Sequence, residues 1–96
     1  MITLIATLKA KEGKMDEAVS KFKAAVTQIK KTEPKCLEYI VHSIKGEDNK
    51  IIVYEKYADQ EAVDLHAKNL PENLKEVLPL VEPDIDIKTC VDIFDK

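Results

Sequence analysis

Apolar residues recur at every second position over residues 2–9, with Ile2, Leu4, Ala6 and Leu8 facing one way and Thr3, Ile5, Thr7 and Lys9 the other. Side chains on an extended chain alternate faces, so this pattern predicts a strand whose second face is only half polar. Lys11-Glu12-Gly13-Lys14 then makes a turn. Beyond it Met15, Ala18, Val19, Phe22, Val26 and Ile29 recur at three- and four-residue steps, with Lys21, Lys23, Lys30 and Lys31 opposite. That spacing predicts an amphipathic helix of about five turns. Asp16 and Glu17 at its start and lysines at its end complement the helix dipole, and Thr32-Glu33-Pro34 ends it.

Residues 36–45 return to period two, with Cys36, Glu38, Ile40, His42 and Ile44 alternating against Leu37, Tyr39, Val41 and Ser43. Gly46-Glu47-Asp48-Asn49 reads as a hairpin-type connection to a third strand over 50–57. Asp59 is placed to cap a helix over 60–68. Asn69-Leu70-Pro71 interrupts that helix, Leu74, Val77, Leu78 and Val81 mark a second helical segment, and Pro79 and Pro83 close it. Ile85, Ile87, Thr89, Val91 and Ile93 finally alternate with acids, Lys88 and Cys90 as a last strand.

The predicted order is β-α-β-β-α-β, the ferredoxin-like α+β plan with a four-stranded antiparallel sheet and both helices on one face. Ile5, Leu37, Tyr39, Val41, Ile52 and Tyr54 sit out of phase with the other apolar set, so both sheet faces should carry apolar surface. An antiparallel sheet covered on one side normally leaves its other face polar. A second copy of the chain packed sheet against sheet is the simplest cover, which predicts a homodimer.

Composition narrows the partners. At 96 residues and 10.9 kDa the chain has room for a single domain spanning 1–96. A net charge of -3, with lysines and acids interleaved, excludes nucleic acid and a basic membrane-binding face. No apolar run approaches the ~20 residues of a membrane span. Residues 1–9 lack the basic start and cleavage site of a signal peptide. Cys36 and Cys90 stand far apart without a CxxC partner, as expected of reduced, half-buried thiols in the cytoplasm.

The candidate chemistry lies in residues 51–66. Glu55 shares a strand face with Ile51, Val53 and Tyr57, and His66 shares the small apolar helix face of Ala58 and Ala62. One tight turn joins them, which makes either a buried polar pair or the wall of a small-molecule pocket. His66 can serve as a base or bind a substrate, or hydrogen-bond Glu55 structurally. Glu55 can orient His66 or act as base itself, or be a buried acid satisfied by neighbours. Tyr54 and Tyr57 can line the pocket and donate phenolic hydrogen bonds, or be core. His42 is a second pocket candidate or a satisfied sheet histidine, and Tyr39, out of phase with it, is a candidate for the dimer contact or the pocket. Phe22 and Phe94 are assigned to the core and to packing of the last strand. Two histidines and two separated cysteines form no metal set. Gly13 and Gly46 form no phosphate loop, and neither cysteine has a basic neighbour to activate it.

Lys11-Glu12-Gly13-Lys14, Glu33-Pro34-Lys35-Cys36-Leu37-Glu38-Tyr39, Tyr54-Glu55-Lys56-Tyr57-Ala58-Asp59 and Glu61-Ala62-Val63-Asp64-Leu65-His66, in this order and spacing, resemble the antibiotic biosynthesis monooxygenase family. The resemblance implies a dimeric α/β barrel with a pocket between sheet and helices. Family members that oxidise quinols, anthrones or similar phenols need no flavin, metal or haem, because the deprotonated substrate reacts with dioxygen directly. Joined to the reading of the residues, this gives a first hypothesis of a cofactor-independent monooxygenase with His66 and Glu55 catalytic and Tyr57, Tyr54, His42 and Tyr39 around a small aromatic substrate. Two positions depart from the family pattern. Lys35 stands where a glycine is usual, and Tyr57 stands for a tryptophan, which argues against the haem-degrading branch. Membership would fix fold better than reaction, so an isomerase using His66 and Glu55 for proton transfer and a non-catalytic ligand-binding dimer stay open.

Overall fold

The structure, a computed structural model, describes residues 1–94. Its elements are β1 (Ile2–Lys9), α1 (Met15–Thr32), β2 (Cys36–Ile44), β3 (Glu47–Tyr57), α2 (Gln60–Asn73) and β4 (Asp86–Val91). The strands form one antiparallel sheet in the order β2-β3-β1-β4. This is the expected ferredoxin-like arrangement. No helix among the described residues is long and apolar enough to cross a membrane.

Strand register decides which side chains meet the helices. Leu4 pairs with Glu55, Ala6 with Val53 and Leu8 with Ile51 across β1 and β3, and all six are buried. On α1, Ala18, Phe22, Ala25 and Ile29 supply the facing layer, one small or large side chain per turn, so the helix can lie close to the sheet. Burying a side chain such as Phe22 or Ile29 stabilises the fold by roughly 1.5–3 kcal/mol. Gly13 opens α1 from a positive φ of 75° that side chains resist. Gly46, at φ 88°, lets the chain reverse after Lys45, so β3 begins at Glu47 rather than Lys50.

Three expectations need correction. Tyr39 and Val41 do not share the outer face with Ile5, Ile52 and Tyr54. Tyr39 pairs with Glu55 and Val41 with Val53, both on the helix side, and Ile40 takes the outer position beside Tyr54. A register shift between Cys36 and Glu38 also turns Cys36 out of phase with the rest of β2 and sets it against Tyr57. The outer face keeps an apolar row nonetheless, Ile40, Tyr54 and Ile5 in adjacent strands.

The second correction concerns α2, which runs unbroken through Pro71 to Asn73. Proline there forfeits only the bond to the Ala67 carbonyl in the final turn, and Leu74 N–H still reaches the Leu70 carbonyl at 2.9 Å. Asp59 caps the start, its carboxylate accepting the Ala62 N–H at 2.9 Å. The second helical segment reduces to a turn and a single 3-10 turn, Leu78–Leu80. Its apolar residues Leu74, Val77 and Val81 are buried all the same. Third, β4 ends at Val91, and Phe94 is 90% exposed rather than packed on the last strand.

Candidate functional site

His66 is the centre of a buried polar cluster on the helix side of the sheet. The α2 register that buries Ala62 also buries His66 one turn later, at 4% exposure. Its Nδ1 lies 2.8 Å from Glu33 Oε1, and its Nε2 lies 3.4 Å from Glu55 Oε1. Glu55 stands on β3 with Ile51 and Val53 on the same face, and its Oε1 accepts the Tyr57 hydroxyl at 2.7 Å. Glu33, 2% exposed in the link from α1 to β2, takes a second bond on Oε2 from Asn73 Nδ2 at 3.0 Å. The rings of Tyr39 and Tyr57 flank the imidazole with centroids at 5.6 Å and 5.3 Å, both tilted. Every buried side-chain polar atom among the described residues has a partner.

Electrostatics follow from burial. Loss of solvent raises the Glu55 carboxyl above its usual range, and nearby Glu33 adds to this, against the opposing pull of the Tyr57 bond and His66. Burial first, and then the Glu55 charge, push the Tyr57 and Tyr39 phenols upward, so both remain O–H donors. The Cys36 thiol is pushed up to about 11, by burial and then by Glu33, which keeps it protonated and unreactive near neutral pH. Both cysteines are free. Although a histidine sits between two carboxylates, no group of three or more His, Cys, Asp or Glu side chains among the described residues could hold a metal ion.

Glu55, His66 and Tyr39 form one end of a cavity of about 120 Å³ whose other walls are apolar. Ala6, Leu8 and Val53 give the sheet side, and Phe22, Leu70, Leu74 and Leu78 the helix side. Ile85 and Ile87 border it where the chain enters β4, and Ile87 is 55% exposed, so the hollow opens there. Wider surface grooves of about 320 Å³ and 360 Å³ exist beside Glu33 and between α1 and β2, but neither is walled by Glu55 or His66.

The expected residues therefore divide. His66, Glu55 and Tyr57 converge, and Tyr39 joins them from β2. Tyr54 and His42 do not. Tyr54 lies between inward-facing Val53 and Glu55, so alternation turns it to the outer face, and His42, paired with Ile52, is exposed on that same side. Glu33 and Asn73 were not singled out from the sequence. Glu33 stands in a non-periodic link where no alternation marks burial, and Asn73 follows a proline that reads as a helix end. The one available signal was an acid directly before proline at the entrance to a strand.

The sequence model of the antibiotic biosynthesis monooxygenases matches residues 1–73, a span that contains Glu33, Glu55, His66 and Asn73. A crystal structure of a candidate antibiotic biosynthesis monooxygenase from Caulobacter crescentus superposes with a TM-score of 0.86 at 26% identity, over 96% of this chain and 89% of that one. A second candidate monooxygenase, from Nitrosomonas europaea, gives 0.85 at 13% identity over 98% and 100% of the two chains. A protein from Shewanella oneidensis gives 0.79 at 24% identity over 93% and 87%. At such identities the last two show the shared fold alone. None of the curated proteins compared with the chain matches it.

Proposed function

The chain belongs to the antibiotic biosynthesis monooxygenase family, and from that premise we propose that it is a cofactor-independent monooxygenase of single-ring hydroquinones or related phenols. The observation that carries this reading is Glu55, a buried carboxyl held between Tyr57 and His66 at the polar end of an otherwise apolar cavity. Size limits the occupant to a single ring, since a cavity of about 150 Å³ takes up benzene and this one, at about 120 Å³, is smaller.

The chemistry needs little more. Glu55 accepts a phenolic proton, and the electron-rich anion reduces dioxygen in a site shielded from water. One oxygen atom enters the ring and the other leaves as water, so hydroquinone plus dioxygen gives hydroxyquinone plus water. Tyr57 holds Glu55 in place through its hydroxyl, and Tyr39 walls the cavity. Oxygen uptake over a panel of hydroquinones should show turnover, and His66→Ala should reduce it by at least about 10²-fold. Proton exchange into a substrate without oxygen use would instead select an isomerase. Tight ligand binding with neither activity would leave a storage or sensing role.

The functional unit proposed is a homodimer joined through the outer sheet face. The row Ile40, Tyr54 and Ile5, with Ile52 beside it, is apolar surface that the helices do not reach. Ile52→Lys places an unpaired charge in that contact, and sedimentation should show the wild-type dimer shift to monomer. Wild type sedimenting as a monomer would overturn the dimer. The two free thiols suit a reducing, cytoplasmic setting.

A further inference from the structure

Resting on that reading, we propose that Glu33 is the positioning residue of a buried relay, holding His66 with Nδ1 protonated so that Nε2 receives and returns the proton that Glu55 removes from substrate. Two donors converge on the Glu33 carboxylate, His66 Nδ1 at 2.8 Å and Asn73 Nδ2 at 3.0 Å. An imidazole that donates from one ring nitrogen presents a lone pair at the other. That lone pair faces Glu55 Oε1 across 3.4 Å. The separation exceeds an ordinary hydrogen bond, and catalytic contacts of this kind tighten when substrate fills the site.

The proton inventory closes without exchange with solvent. A substrate O–H gives its proton to Glu55, which becomes the neutral acid. Glu55 passes it to Nε2, and His66 becomes an imidazolium with one N–H toward each carboxylate. After dioxygen adds to the ring as a peroxide, the relay proton returns through Glu55 to the outer peroxide oxygen. Glu55 then takes the hydrogen of the oxygenated carbon as the O–O bond breaks and the new carbonyl forms, handing it to the departing hydroxide to complete the water. His66 ends in its starting tautomer, so no ring flip between Tyr39 and Tyr57 is required. Among the described residues no other group competes for the imidazole. On β3 the Tyr57 hydroxyl is committed to Glu55, and on β2 Tyr39 and Cys36 keep their protons. α2 contributes Asn73, which already serves Glu33.

Glu33→Gln separates positioning from packing. Glutamine fills the same space but can turn its amide N–H₂ to Nδ1, which favours the opposite tautomer. The expected result on hydroquinone is a fall in kcat of about 10–100-fold with KM within about twofold, the range found when the hydrogen-bond partner that orients a metal-bound histidine is removed. In ¹⁵N spectra of the histidine ring, wild type should show a protonated Nδ1 and a bare Nε2, and Glu33→Gln should mix or reverse them. A wild-type ring protonated at Nε2 alone, or a Glu33→Gln enzyme with wild-type kcat, overturns the relay. The spectrum of the wild-type protein decides the tautomer even where the variant fails to fold. A wild-type protein that consumes no oxygen with any hydroquinone yet shows the Nδ1 tautomer refutes the monooxygenase reading and not the positioning of His66 by Glu33.

Discussion

Glu55→Gln is expected to lower oxygen uptake on hydroquinones by about 10²–10⁴-fold, the span typical of a lost general base. Glutamine preserves size, and its carbonyl can still accept the Tyr57 hydroxyl that Glu55 binds at 2.7 Å. What it lacks is a site for the substrate proton. The wild-type pH profile should report the same group. Activity requires the carboxylate, and burial raises this carboxyl above the ordinary glutamate range. The rate should therefore climb with pH through that raised value, and the rising limb should vanish in the variant. Stability runs the opposite way. A carboxyl whose folded-state pKa lies above its unfolded value stabilises the fold fully below the unfolded pKa, and that contribution is lost as pH climbs through the folded pKa. At mildly alkaline pH the neutral glutamine should thus melt no lower than wild type, so lost turnover cannot be ascribed to unfolding. A Glu55→Gln enzyme with wild-type turnover would remove Glu55 from the chemistry.

Much of this arrangement was legible in the chain because two periodicities carried it. Period two along 51–57 put Glu55 on the face of Ile51, Val53 and Tyr57, and the structure buries all four. Helical spacing placed His66 with Ala62, and the two are the buried residues of α2. What alternation within a strand cannot give is the phase between strands. Tyr39 and Tyr54 each alternate correctly with their neighbours, yet their faces were matched wrongly, because pairing of Tyr39 with Glu55 is set by the hairpin and by the irregularity after Cys36. Glu33 escaped for another reason. It lies in a link with no period, and its burial arises from tertiary partners, His66 and Asn73, thirty-three and forty residues further along the chain. Pro71 misled in turn, since the rule that proline breaks a helix weakens in the final turn.

Phe22→Ala should be the most damaging single truncation for the fold. Phe22 is 1% exposed in the main core cluster with Ile29, Ile51, Val53, Leu74 and Val77, and it also walls the candidate cavity. Removing a buried phenylalanine ring costs roughly 3–5 kcal/mol, the lost transfer energy plus the void it leaves. Against a total of about 5–15 kcal/mol for a domain, that is a large share. At about 4–8 °C per kcal/mol for a chain this short, Tm should fall by roughly 12–40 °C in a thermal melt. The same change has a functional sign, because the space vacated by the ring is continuous with the hollow beside Glu55 and His66. Below the melting range, kcat/KM for two-ring hydroquinones should therefore rise relative to single-ring ones. A variant that melts with wild type would place the core elsewhere. A destabilised variant with an unchanged preference would mean that Leu70 and Leu74 collapse into the void, which would separate the limit on substrate size from the packing of α1.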